Sequence, residues 1–176
     1  MLGTVGSAAD LRYLTGRMLQ LLHAGDGDMP AMELVYSKLH RAGWRSWPQA
    51  EAINVVLDAL WVDVLTNAVS RESIDSVLCV LGTMEPTIAS RLDEFGDPAG
   101  SRRLHEFAVY HCRVENGLLI PGNAYWDRVS PTYDELTTWL NDGSALDAVT
   151  TAFDRVDDPE LLELIAETHS VLTRFG

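Results

Sequence analysis

The stretch LHEFAVYHC holds the residue types that a zinc hydrolase uses: His105 and His111 as imidazole ligands, and Glu106 to take a proton from metal-bound water. That chemistry places the two histidines four apart on a helix, so that both face one ion. Here they are six apart, and six steps at 3.6 residues per turn leave the side chains about 120° out of line. The spacing therefore favours two ordinary histidines, one partly buried and one exposed, over a shared metal.

The other acidic and histidine groups fail similar tests. Glu167 and His169 are two apart and face different directions, whereas a di-metal bundle needs Glu-x-x-His on paired helices. Asp157-Asp158-Pro159-Glu160 resembles a magnesium-diphosphate cluster, but Pro159 marks a helix start, where aspartates serve as caps. Asp26-Gly27-Asp28 and Asn141-Asp142-Gly143-Ser144 lack the spaced oxygens and closing glutamate of a calcium loop and read as turns. The sequence contains no Gly-rich phosphate loop, nucleophile elbow or Cys-x-x-Cys pair. No catalytic residue, metal or cofactor is assigned, and the balance leans away from an enzyme.

Recognition residues concentrate elsewhere. Tyr110, His111, Arg113, Glu115, Tyr125 and Trp126 bracket ENGLLIPGNAYW, the longest stretch without helical period. Tyr, Trp and Arg dominate binding hot spots because each joins a large contact area to a polar handle. The competing expectation makes Tyr125 and Trp126 core plugs, with Leu118, Leu119 and Ile120 anchoring the loop. A second group, Lys38, His40, Arg41 and Arg45 beside Trp44 and Trp47, is the one local concentration of positive charge. Pairing with the protein's own carboxylates is the favoured reading there.

The elements that must position these groups read as helices. Ser7 with Asp10 opens the first, which carries Leu11, Leu14, Met18, Leu21 and Leu22 and stops near Ala24. Pro30 starts a short helix that Gly43 ends. Ser46, Pro48 and Glu51 supply start signals for a central helix whose broad stripe runs Ile53, Val56, Leu57, Leu60, Trp61, Val64 and Leu65. Ser70 is expected to cap the next helix and Gly82 to end it; Thr83 with Pro86 restarts at once, and Gly96 closes that piece. Asp97-Pro98, Ser130-Pro131, Ser144 and Asp158-Pro159 open four more. No apolar run alternates strictly, so no strand is expected.

Composition bounds the function. The 176 residues are 47% hydrophobic and suit one domain with a real core. Thirteen basic residues against 26 acidic ones give a net charge of −13, which argues against a nucleic-acid face. Lys38 is the single lysine, a bias that reads as GC-rich, bacterial coding. Cys79 and Cys112 sit in apolar helical pattern and read as buried thiols in a reducing cytoplasm. No run approaches a membrane span.

The expected fold is all-α: a compact multi-helix bundle or a short HEAT-like antiparallel helical array of about eight or nine short helices over residues 7–176, behind a disordered end at 1–6. The leading functional expectation is a cytoplasmic, acidic, adaptor-like or inhibitor-like domain that binds another protein, a basic one being an option, with neither nucleic acid nor membrane as partner. One alternative is a helical-bundle enzyme or small-molecule binder with a pocket near His105, Tyr110, His111 and Arg113. Another is a structural homo-oligomer joined through Leu162, Ile165 and Phe175.

Overall fold

A computed structural model describes residues 7–25 and 29–175. The end expected to be disordered, residues 1–6, and the aspartates of Asp26-Gly27-Asp28 lie outside the described residues. Nine α-helices occur among the described residues: α1 (Ala8–Ala24), α2 (Met32–Arg41), α3 (Ala50–Thr66), α4 (Ile74–Met84), α5 (Ala89–Asp93), α6 (Pro98–Glu106), α7 (Pro131–Asn141), α8 (Ser144–Phe153) and α9 (Pro159–Phe175). Between α6 and α7 lie a π-helical turn (Phe107–His111) and an antiparallel hairpin of β1 (Cys112–Glu115) and β2 (Leu118–Pro121). The fold is all-α apart from this hairpin.

Local capping explains several starts. Ser7 and Asp10 form a reciprocal capping box on α1, and Ser73 and Ser130 accept from the N3 amides of α4 and α7. Two expected starts move. Ser46 belongs to a 3₁₀ turn, where its hydroxyl donates to the Gly43 carbonyl, so α3 begins at Ala50 with no side-chain cap. Ser70 instead bonds Asp63, and Ser73 opens α4. After α4 the restart is also delayed, with α5 beginning at Ala89 rather than at Thr83 and Pro86.

Gly82 does not end α4. It sits inside the helix, buried, where the Trp126 ring lies on its bare Cα; an added Cβ would meet that ring at 2.3 Å. The centre of the core is α4 rather than α3, since nearly every α4 residue is buried while Ala52, Val55, Ala59 and Val62 of α3 remain exposed. α4 packs on α2, α3 and α7. The neighbours continue α3 to α6, α6 to α9, α9 to α8 and α8 to α7, which returns to α4. A ring of contacts that closes on itself is a bundle; an open array touches only its sequential neighbours. Trp61 of α3 and Trp139 of α7 meet across Phe95, with ring centroids 5.6 Å apart in both pairs.

The hairpin overturns the expectation of no strand. Asn116 and Gly117, with φ of 54° and 82°, make the left-handed two-residue turn that matches strand twist. Cys112, Arg113, Val114 and Glu115 pair with Pro121, Ile120, Leu119 and Leu118. The strand pattern was hidden because Leu119, Ile120 and Pro121 are buried on both faces of β2, so LLIP reads as a continuous apolar run with no alternation.

The final helix also differs from expectation. Ile165 is buried, and Leu162 and Phe175 pack against the core, so these three residues form no exposed patch.

Candidate functional site

The histidines singled out by the sequence go to separate partners. His105 is buried, with Nε2 2.9 Å from Glu167 Oε2 of α9 and its ring edge-on to Tyr110. His111 is half-buried, with Nε2 3.7 Å from Glu106 Oε1. His111 closes a π turn, Phe107–His111, that follows the α-helical turn holding His105. Among the described residues, no three His, Cys, Asp or Glu side chains gather as metal ligands.

The aromatic segment divides between core and surface. Trp126 is buried and packs on Gly82 and edge-on to Tyr133, whereas Tyr110 and Tyr125 are exposed. Arg113 approaches Glu115 at 3.5 Å, and Glu115 is bound more closely by Arg128 at 2.8 Å. Arg128, through that hydrogen bond, holds the Glu115 carboxyl below its ordinary pKa.

Of the basic group, Arg45 donates to the Met84 carbonyl at the end of α4 and lies 5.0 Å over the Trp44 ring. Its partner is therefore a helix-end carbonyl and not the expected carboxylate. Lys38, His40 and Arg41 are exposed and have no carboxylate within 4.0 Å among the described residues.

A polar cluster under the hairpin escaped the sequence reading. Glu33 and Asp75, in the first turns of α2 and α4, are both buried. Ser76 Oγ donates to Glu33 Oε1 at 2.7 Å and Asn123 Nδ2 donates to the same oxygen at 3.0 Å, while Asp75 Oδ1 has no partner. Burial pushes the Asp75 carboxyl above its ordinary pKa, against the pull of His111 and Asn123. Burial likewise raises the thiols of Cys79 and Cys112, so neither is an activated nucleophile at neutral pH. The cluster ties the chain after the hairpin to two helix N-termini.

The largest of three concavities that stand out among the described residues is a groove of about 710 Å³ between α1 and α3. Its walls are Thr15, Gly16 and Leu19 of α1 and Ala52, Ile53, Val56, Ala59 and Leu60 of α3. Its polar end gathers His23, Asp63, Asn67, Arg71 and Glu72. The two smaller hollows, of about 360 and 380 Å³, lie along α5, against α8 and α7. None of the three is lined by His105, Tyr110, His111, Arg113, Tyr125 or Trp126.

The groove exists because α1 is pinned chiefly at its carboxyl end. Leu19 and Leu22 enter the core, His23 Nε2 meets the Tyr36 hydroxyl at 3.0 Å, and Arg71 donates to the Ala24 carbonyl at 2.8 Å. Gly16, Ala52 and Ala59 are too small to fill the gap higher up. Asn67 and Ser70 donate to Asp63 and hold it below its ordinary pKa, a firm anion. Burial lowers His23 and raises Glu72. The sequence does carry a trace of this site: Ala52 and Ala59 flank Val56 and widen the apolar stripe of α3 beyond what one buried face requires.

Comparison with protein-family models, with curated proteins and with solved structures finds no match to this chain.

Proposed function

We propose that this chain is an interaction domain of a bacterial cytoplasm that receives an apolar segment of a basic protein in the groove between α1 and α3. The observation that carries the reading is the groove itself, apolar along its length, with Asp63 and Glu72 at one end of a chain of net charge −13. A partner helix would lay small or aliphatic side chains against Gly16, Ala52, Val56 and Ala59 and set a Lys or Arg beside Asp63. Free Cys79 and Cys112 support a reducing compartment.

A test uses two synthetic amphipathic helices with one apolar face, one peptide lysine-rich and the other glutamate-rich, titrated into labelled protein. The basic peptide is expected to shift the amides of Gly16, Val56 and Ala59, and Ala59→Arg is expected to remove those shifts while the fold persists. Shifts scattered over the acidic surface, or unchanged in Ala59→Arg, would refute the groove as the docking face.

One observation favours a second reading, a small amphiphile as the occupant. The volume lies within the roughly 300–1,000 Å³ of small-ligand sites, and the polar groups gather at one end. A long-chain alkyl amine that shifts the same amides where neither peptide does would select it.

A further inference from the structure

We infer that the outer edge of β1 is a self-association site, at which two copies of this chain pair their β1 strands antiparallel about a two-fold axis at Val114.

The pairing parity of the hairpin exposes the edge. On β2, the Leu119 N–H donates to Asn141 Oδ1 at 2.9 Å and the Leu119 carbonyl accepts from Asn141 Nδ2 at 2.8 Å, so both groups point away from β1. One rung beyond the hairpin, the Gly122 N–H donates to the His111 carbonyl at 2.7 Å, pointing inward. In an antiparallel ladder inward and outward residues alternate. Arg113 and Glu115 therefore share the inward set with His111, and Val114, opposite Leu119, directs its N–H and carbonyl outward. Among the described residues neither group has a hydrogen-bond partner. β1 packs against β2 and the π turn, while Asn141 covers the other edge of the sheet.

Charge names the occupant. Edge strands usually carry charge to repel further strands. Here the two charges flanking Val114 are opposite in sign. An antiparallel pair centred on Val114 lets the two valines exchange both backbone bonds and sets each Arg113 against the partner's Glu115. That neighbouring pair is of the non-hydrogen-bonded kind, in which side chains approach most closely. Parallel pairing in register would oppose arginine to arginine and glutamate to glutamate. Arg113 is available for the exchange, since its own contact to Glu115 is long and Glu115 already has Arg128. Tyr110 and Val114, 69% and 48% exposed, add apolar surface beside the edge. Each copy carries a charge of −13, and at physiological salt a Debye length of about 8 Å screens that repulsion while groups in contact keep their attraction.

The experiment is sedimentation velocity over a concentration series, on the full chain and two variants. The unaltered chain is expected to dimerise reversibly. Arg113→Glu gives Glu against Glu and Glu115→Arg gives Arg against Arg, so each alone should weaken the dimer at least about tenfold. Mixing the two variants restores opposite charges at both positions, and the mixture should sediment as a heterodimer. Recovery on mixing also separates lost pairing from lost folding. A chain that stays monomeric throughout, a dimer that both single variants keep, or a mixture that stays monomeric overturns the inference.

Discussion

The side-chain amide of Asn141 lies against Leu119 as a third strand would, accepting from its N–H at 2.9 Å and donating to its carbonyl at 2.8 Å. One residue at the end of α7 thus closes an edge of the hairpin, and it also donates to the Thr137 carbonyl at 2.7 Å within its own helix. The hairpin is fastened to the bundle through this residue, and its opposite edge stays open.

Asn141→Ala leaves the N–H and carbonyl of the buried Leu119 without partners. The expected loss is about 1–3 kcal/mol in urea unfolding. Amide exchange should speed up first at Leu119 and Ile120, and uniform acceleration over the whole chain would mean that the hairpin does not open by itself.

Arg103 is buried and donates from Nε to the Val64 carbonyl and from Nη2 to the Asn67 carbonyl, while also pairing with Glu106. It ends α3 from another helix. Arg103→Met is expected to cost about 3 kcal/mol because two carbonyls and a carboxylate lose their donor together. Arg103→Lys should recover only part, since an ammonium cannot fork to both carbonyls. Arg45→Met, at an exposed residue serving one carbonyl, should cost within about 1 kcal/mol, and equal losses at both sites would contradict the burial argument.

Gly82→Ala drives a methyl into the Trp126 ring at 2.3 Å. A loss of about 1–3 kcal/mol is expected despite the better helix propensity of alanine. Trp126→Leu opens a cavity alone, yet in the double variant it should relieve the clash. The double-variant cycle should therefore be clearly non-additive, and simple additivity would mean that the ring can move aside.

Asp75 gives a pH signature. Burial raises its folded carboxyl above the ordinary aspartate pKa, so the folded state binds the proton more tightly than the unfolded state. Ionised Asp75 therefore lowers stability at pH values above the folded pKa, and that penalty fades as pH falls through the folded pKa towards the unfolded one. Asp75→Asn should stabilise the protein at neutral pH, with the advantage shrinking as the pH approaches 4. An advantage constant over that range would show that Asp75 titrates alike in both states.

Much of the secondary structure was legible because its signals are local. Ser7 with Asp10, Asp97-Pro98, Ser130-Pro131 and Asp158-Pro159 set helix starts through bonds and dihedral limits within three or four residues. The hairpin was not read: its Asn116-Gly117 turn stood in the sequence, but the apolar run after it masked the alternation and no strand was expected. The candidate groove was barely legible, through the breadth of the α3 stripe, because an empty space between helices has no residue of its own.

By itself the sequence determined an acidic, helical chain with these turns and stripes, since periodicity and capping act over a few residues. Tertiary structure alone decided how the remaining ends are satisfied. Arg103 reaches the end of α3, Arg45 the end of α4, and Glu135 the start of α5, where its carboxylate accepts from the Ile88 N–H at 2.7 Å. It also decided that Trp126 rests on Gly82, that Glu33 and Asp75 meet under the hairpin, and that α1 stands off α3. Each joins groups far apart in the chain, and only the packing of the helices brings them together.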